Sequence, residues 1–321
     1  VVAEHLLKDG HQLVGLARSQ SSADELAQNG IEPVRGQIGD VQVVGEQARR
    51  ADGVVQVSTG GFLQQAMSSA QLLIDNTAAL IEALRGSGKP LVMTYGIAMY
   101  MDTGWLDTKR VVTEDDPRCW AYFYAHFEQV QRMLEAEPSV RHIGIIPSSV
   151  YGRGGGYIGS LPRLFDSVRK YGKLYAVAPG EDCANSFVHV DDLADLYTRA
   201  VRSADTRGYY IASSQIVPMI DAARWVSHAA GLGGELEFVD YPAIRKLCGR
   251  YVELDWWVNL RGSGEKAARE LGWRPSHPTL HDHLASLPQP LDLSSVYPAP
   301  RRRAASDAAR AAGGVAATGE V

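Results

Sequence analysis

The spacing of apolar and polar residues divides the chain into alternating helices and strands. Val1–Lys8 reads as the body of a helix, with Gly10 as its C-cap. Gln12–Ala17 (Q-L-V-G-L-A), Ile31–Arg35 and Gly53–Ser58 (G-V-V-Q-V-S) read as strands. A long helix is predicted over Gln64–Leu84, then a strand over Pro90–Thr94 (P-L-V-M-T). Another helix spans Trp120–Ala136, and Ile143–Ile146 is again a strand. Apolar strands separated by helices imply a parallel sheet covered on both faces.

After Tyr157 the alternation loosens. A helix over Leu161–Tyr171 leads to a strand at Leu174–Val177. Ser186–Tyr197 (S-F-V-H-V-D-D-L-A-D-L-Y) is a strand feeding a helix, with Asp191 or Asp192 as the expected N-cap. Later segments mix helices with a short strand at Glu235–Val239. From Gln289 the chain is Pro-rich, then Ala-, Gly- and Arg-rich, and reads as a disordered tail over 289–321, with Arg301–Arg303 solvated.

Composition narrows the function classes. The chain has 321 residues, 45% hydrophobic, enough for one large or two modest domains. A net charge of −5 gives no electrostatic reason to expect a nucleic acid or an anionic membrane as partner. Cys119, Cys183 and Cys248 lie far apart, so neither a disulfide framework nor a zinc site follows, and a cytoplasmic location is expected. No apolar run reaches the ~18 residues of a membrane span.

The stretch Ile145–Gly156, I-I-P-S-S-V-Y-G-R-G-G-G, resembles the crossing into the substrate domain of extended and atypical short-chain dehydrogenase/reductases, the epimerase/dehydratase branch. Four other stretches carry the same resemblance: H-L-L-K-D-G-H-Q-L-V-G-L-A-R-S at the start, Ala51–Ser58, Ser186–Tyr197, and S-G-E-K-A-A-R-E-L-G-W-R-P at Ser263–Pro275. It implies an α/β fold: a Rossmann-like doubly wound parallel sheet with a smaller C-terminal substrate domain. The expected division is 1–150 for NAD(P) binding, with help from about 186–204, and 151–288 for substrate. The resemblance puts the glycine-rich phosphate loop immediately before Val1, outside this sequence. A trimmed chain is the expectation that follows, with weak dinucleotide binding by the chain as given. Gly152–Gly156 is read as a flexible pocket wall, because no acidic residue follows at the distance a phosphate loop requires.

The resemblance also assigns candidate residues. Arg18 and Ser19 end the second strand of the family's order, where an acid would select NAD and an arginine can pair with the 2′-phosphate of NADP. NADP is therefore the expected cofactor, with NAD as the alternative. Gln37 and Ile38 stand near the adenine, Ser58, Thr59 and Gly60 near the phosphates and ribose, and Pro147 and Val150 beside the nicotinamide.

The family moves a proton with a tyrosine whose pKa is lowered by a lysine four residues on. In C-W-A-Y-F-Y-A-H-F-E-Q-V (Cys119–Val130) two registers are open: Tyr122 with His126, or Trp120 with Tyr124. Trp120, Phe123, Phe127, Val130 and Leu134 form one helical face, with Tyr124 at its edge. The catalytic face borders the core, so the second register is preferred and both catalytic positions are substituted. Tyr124, Tyr95 and Thr94 are the candidates for holding or protonating the substrate oxygen. His189 is read as a structural strand-end histidine, and Trp256 and Trp257 as pocket or core residues.

The function implied is an NAD(P)-dependent oxidoreductase acting on a small carbonyl, alcohol or sugar-derived substrate. A non-redox isomerase, lyase or cyclase on the same scaffold, and a non-catalytic dinucleotide sensor, are the alternatives. A homodimer paired through the Gln64–Leu84 and Trp120–Ala136 helices is implied by the resemblance alone, and no metal is expected.

Overall fold

The structure is a computed structural model and describes residues 1–57, 66–100, 110–118, 125–154, 159–177, 183–249 and 252–297. Its first half alternates helices and strands, with two helices, α2 and α3, added to those the sequence marks: α1 (Val2–Lys8), β1 (Val14–Ala17), α2 (Gln20–Gln28), β2 (Glu32–Arg35), α3 (Val41–Arg50), β3 (Val54–Gln56), α4 (Ala66–Leu84), β4 (Pro90–Thr94), α5 (Ala125–Glu135) and β5 (Arg141–Pro147). There follow β6 (Ser149–Tyr151), α6 (Ser160–Tyr171), β7 (Tyr175–Val177), β8 (Ala184–His189), α7 (Val190–Arg202), β9 (Gly208–Ala212), β10 (Gln215–Pro218), α8 (Met219–Ala229) and β11 (Glu237–Val239). The described chain closes with α9 (Tyr241–Cys248), α10 (Glu253–Trp256), α11 (Glu265–Leu271) and α12 (Leu280–Ala285).

Strands β3, β4, β5 and β9 form one parallel sheet in the order β3-β4-β5-β9. Side chains alternate across each strand. On one face Leu91, Met93 and Ile146 pack under α4 and α5, against Leu73, Leu80, Phe127 and Val130. On the other, Val92, Ile143 and Ile145 meet Leu193, Leu196, Tyr197 and Ala200 of α7. Both faces are covered, which is why these strands read as continuous apolar runs. A parallel pair, β1 with β2, carries the earlier crossovers, and no ladder joins it to β3 among the described residues. Val14 and Leu16 on β1 are correspondingly exposed, at 50% and 41%.

The second lobe has its own core. Leu161, Leu164, Phe165 and Val168 follow helical spacing on α6 and pack against Ala222 and Val226 of α8, Trp256 and Leu280. Trp256 is buried, whereas Trp257 is 41% exposed and lies against Tyr241. The first lobe takes more of the later chain than the stretch 186–204: β9 completes its sheet and α11 packs on β9 and α7.

Two sequence expectations are corrected. The N-cap of α7 is His189, whose Nδ1 accepts from the Asp191 backbone N–H at 3.2 Å; Asp191 and Asp192 lie in the first turn instead. The disordered tail does not begin at 289. Tyr297 is fully buried and stacks on Phe165 at 5.3 Å, and residues 298–321 lie outside the described residues.

The crossing after β5 is fastened rather than free. Tyr151 donates to the Pro278 carbonyl at 2.7 Å, and the Gly152 N–H donates to the Tyr297 hydroxyl at 3.1 Å. The Tyr297 N–H returns to the Gly154 carbonyl at 2.9 Å. Arg153, held at φ 51, forks onto both oxygens of Asp191 and reaches Glu4 at 2.5 Å, while His5 meets the same Asp191 at 3.0 Å. The described part of the predicted pocket wall, 152–154, thus ties α1, α7 and the C-terminal segment together. Burial pushes the Asp191 carboxyl up, but its bonds to Arg153 and His5 outweigh this and hold it at about 2.

That linkage has a testable cost. Arg153→Gly keeps the positive φ accessible and removes the side chain with its guanidinium. Urea denaturation at pH 7 is expected to show a loss of about 1–3 kcal/mol, between the ranges for exposed and buried pairs. The depressed Asp191 pKa stabilises the fold above the usual value near 3.8 and ceases to as the pH falls through about 2. The gap between variant and parent should therefore narrow over that acid range.

Candidate functional site

In an open parallel sheet, ligands bind beyond the carboxyl ends of the strands. Several predicted site residues fall at such ends. Arg18 follows β1 and is exposed; Ser19 caps α2, its hydroxyl accepting from the Ser22 N–H at 3.1 Å. Gln37 and Ile38 follow β2, where the Gln37 N–H is taken by Asp40 at 2.8 Å. Pro147 is the last residue of β5, paired with Ala212, and is half-buried. Val150, on β6, is half-buried against the α7-side core. Ser58, Thr59, Gly60, Trp120, Tyr122 and Tyr124, and the side chain of His126, lie outside the described residues.

Thr94 and Tyr95 are not brought together. They are consecutive at the end of β4 and point to opposite faces of the sheet. The Thr94 hydroxyl donates to the Gln56 carbonyl at 2.9 Å and lies 2.5 Å from the Tyr197 hydroxyl. A hydroxyl has one proton to give. Since the carbonyl can only accept, Tyr197 must be the donor of the second bond. Thr94 is left with one lone pair and no free donor.

Tyr95 turns the other way, under α5. Its ring packs against Phe127 at 5.4 Å and Tyr209 at 5.3 Å, and its hydroxyl meets His142 Nε2 at 3.1 Å. Gly144 makes room: a Cβ there would stand 2.4 Å from the Tyr209 ring. Burial pushes the Tyr95 phenol well above its ordinary pKa, and burial with the nearby Arg118 charge pushes His142 down to about 3. Expected beside the substrate, Tyr95 is instead a core phenol bonded to a neutral imidazole. A cleft lined by Arg118, His142, Arg207 and Tyr209 adjoins it, at the amino ends of β5 and β9, away from Pro147.

Beyond Pro147 lies a polar group whose Asn185 and Ser160 sequence reasoning passed over, although the hydroxyls of Ser148 and Ser149 are evident in the sequence after Pro147. Ser149 Oγ is 3.3 Å from Ser160 Oγ, and Asn185 donates to Ser160 Oγ at 3.2 Å and to the Leu254 carbonyl at 2.9 Å. Asn185 Oδ1 and Ser148 Oγ are buried without a hydrogen-bond partner. Such atoms are uncommon in folded proteins and are satisfied by water or a ligand donor. No local pattern marks Asn185, because burial of a polar side chain arises only on folding.

His189, Asp191 and His277 bring ligand-capable atoms within 4.8 Å of one another. The two rings, however, are stacked at 4.4 Å and 6°, so their in-plane lone pairs run parallel rather than converge. Asp191 is also engaged by Arg153 and His5. The arrangement presents no convergent donor set for a cation.

Residues 1–212 match the model of the NAD dependent epimerase/dehydratase family. Among curated proteins, the chain is similar to the uncharacterized protein YLL056C of Saccharomyces cerevisiae, 28% identical over 286 residues, covering 85% of this chain and 90% of that one. It is also similar to a 3-diazoavenalumate denitrifying reductase of Streptomyces sp., 27% identical over 229 residues, covering 67% and 71%. Among solved structures, Bordetella bronchiseptica WbmG in complex with NAD and UDP aligns with a TM-score of 0.69 at 14% identity, over 88% of each chain. Thermus thermophilus UDP-glucose 4-epimerase in complex with NAD aligns at 0.63 and 18%, over 89% and 96%. These likenesses agree with the mixed α/β fold and its parallel sheets, and the family match spans β1 through β9. The chain belongs to the NAD dependent epimerase/dehydratase family.

Proposed function

We propose that this protein is an NAD(P)-dependent oxidoreductase that prefers NADP and acts on a small carbonyl, alcohol or sugar-derived molecule. The family match carries the reading, since it spans the strands whose carboxyl ends present Arg18, Gln37 and Pro147. The NADP preference rests on Arg18, exposed after β1 with no acid beside it in Ala17-Arg18-Ser19. One curated relative is a reductase, which supports hydride chemistry. The unpaired Asn185 Oδ1 and Ser148 Oγ near Pro147 suit a substrate bearing a hydrogen-bond donor. Tyr124 is the proton donor of this reading, with Thr94 as an accepting group. A homodimer through α4 and α5 and a cytoplasmic location belong to the same proposal; the free thiols of Cys183 and Cys248 suit a reducing compartment. Among the described residues, no helix is long and apolar enough to cross a membrane.

A second reading has an observation of its own. The Thr94 hydroxyl is committed to Gln56 and Tyr197, and Tyr95 is buried on the far face. A site without those groups suits a non-redox isomerase, lyase or cyclase, or a dinucleotide sensor.

Fluorescence titration of the full-length protein separates these readings. NADPH is expected to bind at least about tenfold more tightly than NADH, and Arg18→Glu to reverse the order, the scale of one charged hydrogen bond. Failure to bind either dinucleotide would remove the oxidoreductase and sensor readings together. Binding without hydride transfer across a panel of carbonyls would favour the sensor.

Where turnover is found, Tyr124→Phe should lower kcat/KM by about 10²–10⁴, the usual contribution of a general acid. An unchanged value would remove Tyr124 from the mechanism.

A further inference from the structure

His189 sits where β8, α7, the crossing turn and the C-terminal segment meet. Its Nδ1 caps α7 by accepting the Asp191 N–H at 3.2 Å. His277 covers one ring face at 4.4 Å, and Tyr151 meets the ring edge-on at 5.3 Å. Gly152 packs against the ring: a Cβ there would lie 2.4 Å from Nε2, and its φ of 105 favours glycine. The turn that follows Pro147 therefore rests on this imidazole.

We propose that the His189–His277 stack is a proton-operated latch: while His189 is neutral it clamps the turn at Gly152 and the start of α7, and a proton on His189 opens it. This goes beyond the proposed activity and does not depend on it.

The chemistry at Nδ1 sets the direction. A neutral imidazole can offer that lone pair to the Asp191 N–H; an imidazolium places a second N–H against it. The cap is then lost. His277 Nδ1 lies 2.7 Å from the Asp192 carboxylate, which holds this ring in place against His189. A positive charge on that ring, 4.4 Å away and face to face, repels a cation at His189.

Other groups face the ring from every packed element. Asp191 Oδ2, from α7, is 3.5 Å from His189 Nδ1 and favours the cation, but Arg153 of the turn forks onto that carboxylate and His5 of α1 shares it. Glu4 of α1 pairs with the same Arg153. His283 of α12 meets the ring at 6.1 Å and adds to the repulsion when charged. The phenols of Tyr151 and Tyr297, both raised to about 12, stay neutral. Burial first, then the charge of His277, push the His189 pKa down; Asp191 and Asp192 oppose them. With the folded value below the usual 6.5, the neutral latch stabilises above that pH and weakens as the pH falls through the folded value.

Histidine NMR titration from pH 8 to 5 tests this on the intact protein, the His189 ring signal being assigned through its bonds to the sequentially assigned backbone. His189 should titrate below 6.5, and His277→Gln should raise its midpoint by about 0.5–1 unit. Asparagine can still cap α7 without titrating. In thermal melts His189→Asn should therefore lessen the fall in Tm between pH 7 and 5; the remaining fall belongs to His142 and His283, which are also depressed. A His189 midpoint at or above 6.5, a midpoint unmoved by His277→Gln, or an unchanged Tm slope in His189→Asn would each overturn the latch. The wild-type and His277→Gln titrations decide the matter even if His189→Asn folds poorly.

Discussion

Two consecutive carboxylates, Asp191 and Asp192, hold the molecule's separate parts together. Both lie in the first turn of α7, where negative charge meets the positive end of the helix. About 100° apart on the helix, they face different neighbours. Asp192 accepts the Ser276 N–H at 2.9 Å, the His277 N–H at 3.3 Å and His277 Nδ1 at 2.7 Å, and its carbonyl takes the Trp273 indole at 2.8 Å. Asp191 takes Arg153 and His5. One turn of helix therefore anchors the C-terminal segment on one side and the crossing turn with α1 on the other. Without it, the turn after Pro147 would keep only its ties through Tyr151, Gly152 and Tyr297.

Much of this fold was legible in the residue pattern because its strands are buried on both faces. Residues 90–93 and 143–147 are unbroken by any polar side chain, a pattern that needs no tertiary knowledge to read. What stayed hidden depended on distant partners. A cap was expected from Asp191 or Asp192, the residue types that usually supply one, but those side chains were needed elsewhere and the imidazole before them took the role. Composition condemned the stretch after Gln289 as tail, yet Tyr297 on the Phe165 ring and the Gly152 N–H, with buried Val296 and the Arg169 bonds to the Leu293 and Val296 carbonyls, docks it as far as 297. The edge of β9 is likewise closed from afar, by the buried Glu114 carboxylate accepting the Ile211 N–H at 2.7 Å.

The candidate site was less legible, for a different reason. Resemblance supplies positions, and the cofactor positions Arg18, Gln37 and Pro147 do stand at strand ends. It does not supply the direction of a side chain. Thr94 and Tyr95 were taken together as hydroxyls near one oxygen, although adjacent strand residues face opposite sides. Asn185 shows the converse: nothing in A-N-S-F-V-H sets it apart, and only its complete burial with an unpaired oxygen makes it notable.

The hydrogen-bond count at Thr94 constrains the chemistry further. Stabilising a developing alkoxide, or polarising a carbonyl, requires a donor aimed at the oxygen. Thr94 gives its only proton to Gln56 and receives one from Tyr197, so in this arrangement it can accept from an alcohol but cannot donate to a carbonyl. Burial keeps the Tyr197 phenol protonated, which holds the arrangement in place across the physiological range. On the proposed reading, therefore, the alcohol side of a hydride transfer would find an acceptor at Thr94, and the carbonyl side must find its donor elsewhere. With Tyr95 turned into the core, that requirement falls, on the proposed reading, on Tyr124, and the identity of the proton donor decides whether a family fold is also a family reaction.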